Sequence, residues 1–172
     1  MVIIHDFGLT PAEYREKFKS LEIPRPEKCP KCQACKSFHR HGVYWRYVVH
    51  LACHERVPVC RYRCRKCRHT LSVLPAFTVP RFQYAVSVIL ASLSAVCQAG
   101  LPAQCFRFWQ RRFCRNLTLI ELFFRDYGFT DIIPKNRKEK AIKLLCMVRT
   151  FPKVETFSQT FHNHCNISFM AR

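Results

Sequence analysis

The sequence predicts an α+β chain, with a small β unit first and a helical bundle after it. Two observations carry that class. Cys29-Pro30-Lys31-Cys32 and Cys64-Arg65-Lys66-Cys67 bracket a stretch of alternating aromatic, β-branched and basic residues, such as Val43-Tyr44-Trp45-Arg46-Tyr47-Val48-Val49. Beyond Pro80 the apolar spacing changes to three and four residues, at Ala85, Val86, Ile89, Leu93 and Val96, which is the period of a helix with one buried face. Two Cys-x-x-Cys turns around a β-hairpin are the pattern of a zinc ribbon. The expected layout is an N-terminal strand, helix and linker over 1–28, a zinc ribbon over 29–80, and a helical domain over 81–172 with a helix-turn-helix-like part.

Each element has a local reason. Val2-Ile3-Ile4 reads as a short strand. Thr10-Pro11-Ala12-Glu13 starts a helix, with Thr10 as cap, Pro11 in the first turn and Glu13 closing a capping box. Ile23-Pro24-Arg25-Pro26 is extended, because proline disfavours helix in the residue before it. His39 to Leu51 and Arg56 to Arg63 read as a hairpin joined through Ala52-Cys53-His54-Glu55, and Thr70 to Leu74 as a third strand. Pro58 suits an edge or a bulge. The segment between Pro75 and Pro80 reads as a second linker. Helices follow from Phe82 to a cap near Gly100, from Pro102, from Thr118 to Tyr127, from Asn136 to Thr150 and from Val154 to His164.

A 39-residue unit rarely buries enough apolar surface to fold unaided. One structural zinc ion, with an apparent binding energy of about 10–16 kcal/mol in small zinc peptides, supplies the deficit. The expected ligands are Cys29, Cys32, Cys64 and Cys67. Cys35 offers an alternative pairing with Cys32, and His39, His41, Cys53 and Cys60 lie close in sequence. Both pairs flank strands rather than opening a helix in a βαβ unit, which argues against disulfide catalysis. Cys97, Cys105, Cys114, Cys146 and Cys165 fall on helical stretches and read as small buried apolar residues.

Twenty-nine Lys and Arg against eleven Asp and Glu give a formal charge of +18. Four thiolates and one divalent cation bring it to about +16. That field attracts a polyanion, and DNA is the expected partner. Arg61, Arg63 and Arg65 alternate and would share one strand face, with Lys66 and Arg68 beside them at the second knuckle. The competing reading of that row is an edge strand protected by charge. Arg107, Arg111 and Arg112 share a helix with Trp109 and Phe113 and are the candidate groove readers. Lys135, Arg137, Lys138 and Lys140 read as a solvated helix start. Tyr44, Trp45 and Tyr47 read as hairpin packing, with stacking on unpaired bases as the alternative.

The first residues lack the pattern of a signal peptide, and the apolar stretch from Ala85 to Cys97 is shorter than a membrane span. A cytoplasmic protein with no membrane contact and no small-molecule substrate is expected. The acids after the ribbon, Glu121, Asp126, Asp131, Glu139 and Glu155, are few. They lie on or between helices with no strand pattern to present them together to two catalytic metals, and no glycine-rich phosphate loop is present. A non-catalytic chain is therefore expected.

Ile3-Ile4-His5-Asp6-Phe7-Gly8-Leu9-Thr10, Cys29-Pro30-x-Cys32, His41-Gly42-x-Tyr44-Trp45-Arg46 and Cys64-x-x-Cys67-x-x-Thr70-x-Ser72-x-Leu74-Pro75 form a set. Together they resemble an uncharacterised bacterial zinc-ribbon family found with insertion-sequence transposases, over roughly residues 1 to 90. Further on, Arg107-Phe108-Trp109 is similar to the Arg-Trp of a transposase-type helix-turn-helix. The resemblance implies a transposase-like ribbon followed by helices, a nucleic-acid-binding role tied to mobile elements, and Cys29, Cys32, Cys64 and Cys67 as ligands. The expected function is a transposon-associated DNA-binding protein. The alternative is a scaffold whose ribbon recruits a transposase or polymerase.

Overall fold

The computed structural model describes residues 1–50, 54–94 and 102–171. It is an α+β structure with one four-stranded sheet and six helices among those residues. The strands are β1 (Val2–His5), β2 (Phe38–Val49), β3 (His54–Cys64) and β4 (Thr70–Pro75), in the spatial order β1-β4-β3-β2. β2 and β3 form the long antiparallel hairpin, and β4 pairs with β3 from Cys60 to Arg63. β1 lies parallel to β4, with Val2 opposite Ser72 and His5 opposite Pro75. The N-terminal strand is thus part of the same sheet as the cysteine-rich hairpin.

Pro58 sits where β4 no longer pairs with β3, so its missing N–H breaks no ladder on that side. The bulge falls elsewhere, between Arg40 and Gly42, where His41 is the extra residue. His54 and Glu55 already belong to β3, which leaves the predicted hairpin loop to residues 51–53, outside the described residues.

Helix α1 (Pro11–Lys17) starts as expected, with Thr10 and Glu13 closing a reciprocal capping box. It packs against β3 and buries Tyr14 completely. The segment between Pro75 and Pro80 connects sheet and helices without being a free linker. Ala76, Phe77, Thr78 and Val79 are all buried. Its apolar side chains outweigh the turn signal of the flanking prolines. Residues 83–85 then cross the end of β2, with the Val49 amide donating to the Gln83 carbonyl and the Ala85 amide to that of Val49. That crossing delays helix α2 to Val86–Leu93, four residues after the expected start.

Helices α3 (Ala103–Arg115), α4 (Leu117–Asp126), α5 (Arg137–Thr150) and α6 (Val154–Cys165) complete the chain. Gly100, Val96 and Cys97 lie outside the described residues, and with them the turn on which a helix-turn-helix reading of α2 and α3 depends. Phe123 is the hub of the helical core, with the rings of Phe157 and Phe161 at 5.6 and 5.4 Å. α6 closes on the sheet edge. The Asp6 amide donates to Gln159 Oε1 (2.8 Å), and His162 Nε2 lies 3.1 Å from the Val2 carbonyl oxygen. One continuous buried cluster runs from Tyr14 and Cys60 to Phe161 and Met170. No helix among the described residues is long and apolar enough to cross a membrane.

Candidate metal centre and basic surface

Two turns of matching construction build the cysteine site. In the first, the Cys29 amide donates to the Ala34 carbonyl (3.0 Å) and the Gln33 amide to that of Cys29 (2.8 Å). In the second, the Cys64 amide donates to the His69 carbonyl (2.8 Å) and the Arg68 amide to that of Cys64 (3.0 Å). Gln33 and Arg68 occupy the same place in each turn and hold φ of 57° and 63°. This left-handed conformation costs a non-glycine residue about 1–2 kcal/mol. The strain folds the backbone tightly enough to aim both sulfurs of each pair at one point.

Cys29 Sγ lies 3.5 Å from Cys67 Sγ, and Cys32 Sγ lies 3.7 Å from Cys64 Sγ. All four sulfurs are within 4.8 Å of one another. A tetrahedral ion with metal–sulfur bonds of about 2.3 Å requires sulfurs about 3.8 Å apart, so the set fits such an ion. Cys35, the alternative ligand, stands outside the set with its thiol exposed. Cys60 is buried on β3, and neither it nor His39 or His41 joins the group.

The electrostatics of the turns favour charged sulfur. The Ser37 hydroxyl, 3.2 Å from Cys64 Sγ, and the amides of Cys67 and Lys66 bring the Cys64 thiol down to about 6. Burial raises the Cys29 thiol, but the amides of Cys32 and Lys31 outweigh it and the net direction is down. The His69 amide pulls the Cys67 thiol down. Burial and the three neighbouring sulfurs outweigh that pull and push it up to about 12. Four sulfurs this close cannot all ionise unless a cation joins them, which is what a metal ion supplies.

The candidate basic residues divide into two groups. Arg61 and Arg63 lie on β3 and are half-buried, whereas Arg65, Lys66 and Arg68 are exposed on the second turn. The expected row of three on one strand is therefore a pair, because β3 ends at Cys64. β3 is also central, between β4 and β2, which removes the charged-edge explanation of the row. The Arg61 guanidinium stacks on Tyr44, 4.8 Å from its ring centre. Sequence reasoning missed Lys28, Lys31 and Lys36, exposed on the first turn. Arg107 and Arg111 are exposed on α3, four residues apart. Arg112 is half-buried and stacks on Phe108 at 4.7 Å.

Two expectations are corrected, and a third holds in part. Trp45 and Tyr47 are 54% and 50% exposed, with the Arg56 guanidinium over their rings at 6.0 and 5.3 Å. Among the described helical cysteines, Cys105, Cys114 and Cys165 are half-buried and Cys146 is exposed on α5. Lys140 at the start of α5 is paired with Glu121 of α4, whereas Lys135, Arg137 and Lys138 are exposed, as a solvated helix start requires.

The chain belongs to the family described as a domain of unknown function (DUF6431), whose pattern matches residues 15–109, more than half of the chain. No curated protein and no solved structure matches it.

Proposed function

We propose that the chain is a non-catalytic DNA-binding protein whose cysteine turns hold one structural zinc ion. The observation that carries this reading is the pairing of a tetrahedral four-sulfur site with six exposed cations on the same two turns. These are Lys28, Lys31, Lys36, Arg65, Lys66 and Arg68. Four thiolates select zinc among common metals and close its coordination shell, which is the mark of a structural site. The turns then hold the cations at a fixed angle to a phosphate backbone. Arg107, Arg111 and Arg112 on α3 supply a second contact. The absence of a catalytic role is supported by acids engaged one at a time. Glu121 pairs with Lys140, Asp126 with His164 and Asp131 with Lys143. A transposon-associated role rests on the resemblance of the motifs between Ile3 and Pro75. The thiolate set requires reducing surroundings, and the reading places the chain in the cytoplasm.

A second reading has its own support. β2 is an edge strand, and Val43, Trp45 and Tyr47 stand exposed along it. An open edge with exposed aromatics suits a protein partner added as a further strand. This is the scaffold reading, in which the charge serves solubility. Fluorescence anisotropy on zinc-loaded protein separates the two, using random duplex and the DNA flanking the protein's own gene at low and near-physiological salt. Preference for the flanking duplex that persists as salt rises is the expected result. Equal, salt-labile binding to both moves the scaffold reading ahead.

A further inference from the structure

Between the sheet and the helices lies a cleft of about 960 Å³, at the upper end of the range for small-ligand sites. Its walls come from β1, β2 and β4, from residues 80–83, from α3, and from the end of α6 with the residues after it. Among the described residues that line it are three guanidinium groups, those of Arg46, Arg81 and Arg112, and no Asp or Glu side chain. Arg46 is the informative one. It is half-buried, and it donates to the carbonyls of Val79 (2.5 Å) and Phe82. Among the described residues it forms no ion pair. A guanidinium shielded from water and bonded only to carbonyls keeps its charge uncompensated, which a bound anion would correct. Burial already pulls its pKa below the usual arginine value.

The same walls carry aromatic faces. Phe82 and Phe108 lie 5.8 Å apart, Arg112 stacks on Phe108, and Tyr44 lies on the sheet side. Phe108 remains 44% exposed. His162 reaches the cleft with Nε2 turned to the Val2 carbonyl, leaving a buried Nδ1 without a partner. At the rim Arg81 holds a left-handed φ of 70°, a strain that tends to be kept where a side chain must face a ligand. Guanidinium groups and flat rings facing one cleft match a phosphate joined to a planar base.

We propose that this cleft binds one nucleotide unit, phosphate and base together, as a free nucleoside monophosphate or as the unpaired end of a DNA strand. The site is separate from the cysteine turns, so it stands or falls apart from duplex binding there. Calorimetric titration of zinc-loaded full-length chain uses deoxyadenosine monophosphate and inorganic phosphate as probes. Anisotropy compares a blunt duplex with one carrying a short single-stranded overhang. The variants are Arg81→Gln with Arg112→Gln together, and Phe108→Ala alone, each checked for unchanged thermal unfolding. The expected result is that the nucleotide binds more tightly than phosphate, or the overhang more tightly than the blunt end. Either preference should fall at least about tenfold in both variants, since each removes a charged or stacking group. Nucleotide binding identifies the free molecule as the source, and overhang preference alone identifies the strand end. Absence of both preferences, or preferences that survive both well-folded variants, overturns the proposal. In the wild-type chain, nucleotide binding without any blunt-duplex binding would count against the cysteine-turn reading alone.

Discussion

Ser37 stands behind Cys64, buried, with its hydroxyl shared between that sulfur and the Ala34 carbonyl. Groups in this position orient a ligand and tune its charge, and losing one costs about 10–100-fold in metal affinity. Ser37→Ala is therefore expected to weaken zinc binding by that order in a competition titration with a chelator. The proton count changes too. In the metal-free chain the Cys64 thiol, held at about 6, is already ionised at neutral pH. Zinc displaces no proton from it. Without the hydroxyl the thiol moves back up, and zinc binding near neutral pH should release up to about one further proton. Calorimetry in two buffers of different ionisation heat reads that difference. Lowering the pH through about 6 removes the advantage in the wild-type chain, because Cys64 is then protonated. Cys35 provides the control. Its thiol is exposed and outside the sulfur set, so Cys35→Ser should leave one zinc bound per chain by native mass spectrometry, whereas Cys64→Ser should lose it. Tyr14 makes a separate prediction. Its hydroxyl is buried without a hydrogen-bond partner, so Tyr14→Phe should be neutral or stabilising, by up to about 1 kcal/mol in urea denaturation.

At the scale of elements, one side chain ties the helical part together. Asn116, buried between α3 and α4, donates from Nδ2 to the carbonyls of Phe169 and Ala171, both at 2.9 Å. Asn116→Ala leaves the buried Phe169 carbonyl without its donor and should cost about 1–3 kcal/mol in urea denaturation, with the last residues becoming protease-sensitive. The element pattern shows what the sequence carries openly and what it hides. The spacing of Cys29, Cys32, Cys64 and Cys67 identifies the sulfur set because two residues between cysteines is a local constraint. The left-handed positions at Gln33 and Arg68 are silent, since neither is glycine or asparagine. Val2-Ile3-Ile4 reads as a strand from its β-branched side chains. Its partner does not, because parallel pairing with β4 depends on residues about seventy positions away. Prolines at 75 and 80 suggest a linker, and only packing shows Phe77 and Val79 buried between them. The cleft is invisible in sequence, since its residues are scattered along the chain from Met1 to Ala171.

For the whole molecule, charge decides what the turns can bind. A zinc ion with four thiolates carries a net charge of about −2, so part of the surrounding positive charge would balance the site itself. Six exposed cations on the two turns exceed that need and leave a surplus for phosphate. The surplus lies at the turn end, where Arg65, Lys66 and Arg68 project beyond the end of β3. Changing these three to Ala should preserve the fold, because their side chains are exposed and the ligands remain. The most direct measurement is a salt titration of duplex binding by anisotropy, comparing zinc-loaded wild type with the Arg65→Ala, Lys66→Ala, Arg68→Ala variant. Phosphate binding by the turns predicts weaker association at every salt concentration, and a log–log slope shallower by about 0.9 for each phosphate that is no longer neutralised. An unchanged affinity and slope in a variant that still holds zinc would contradict it.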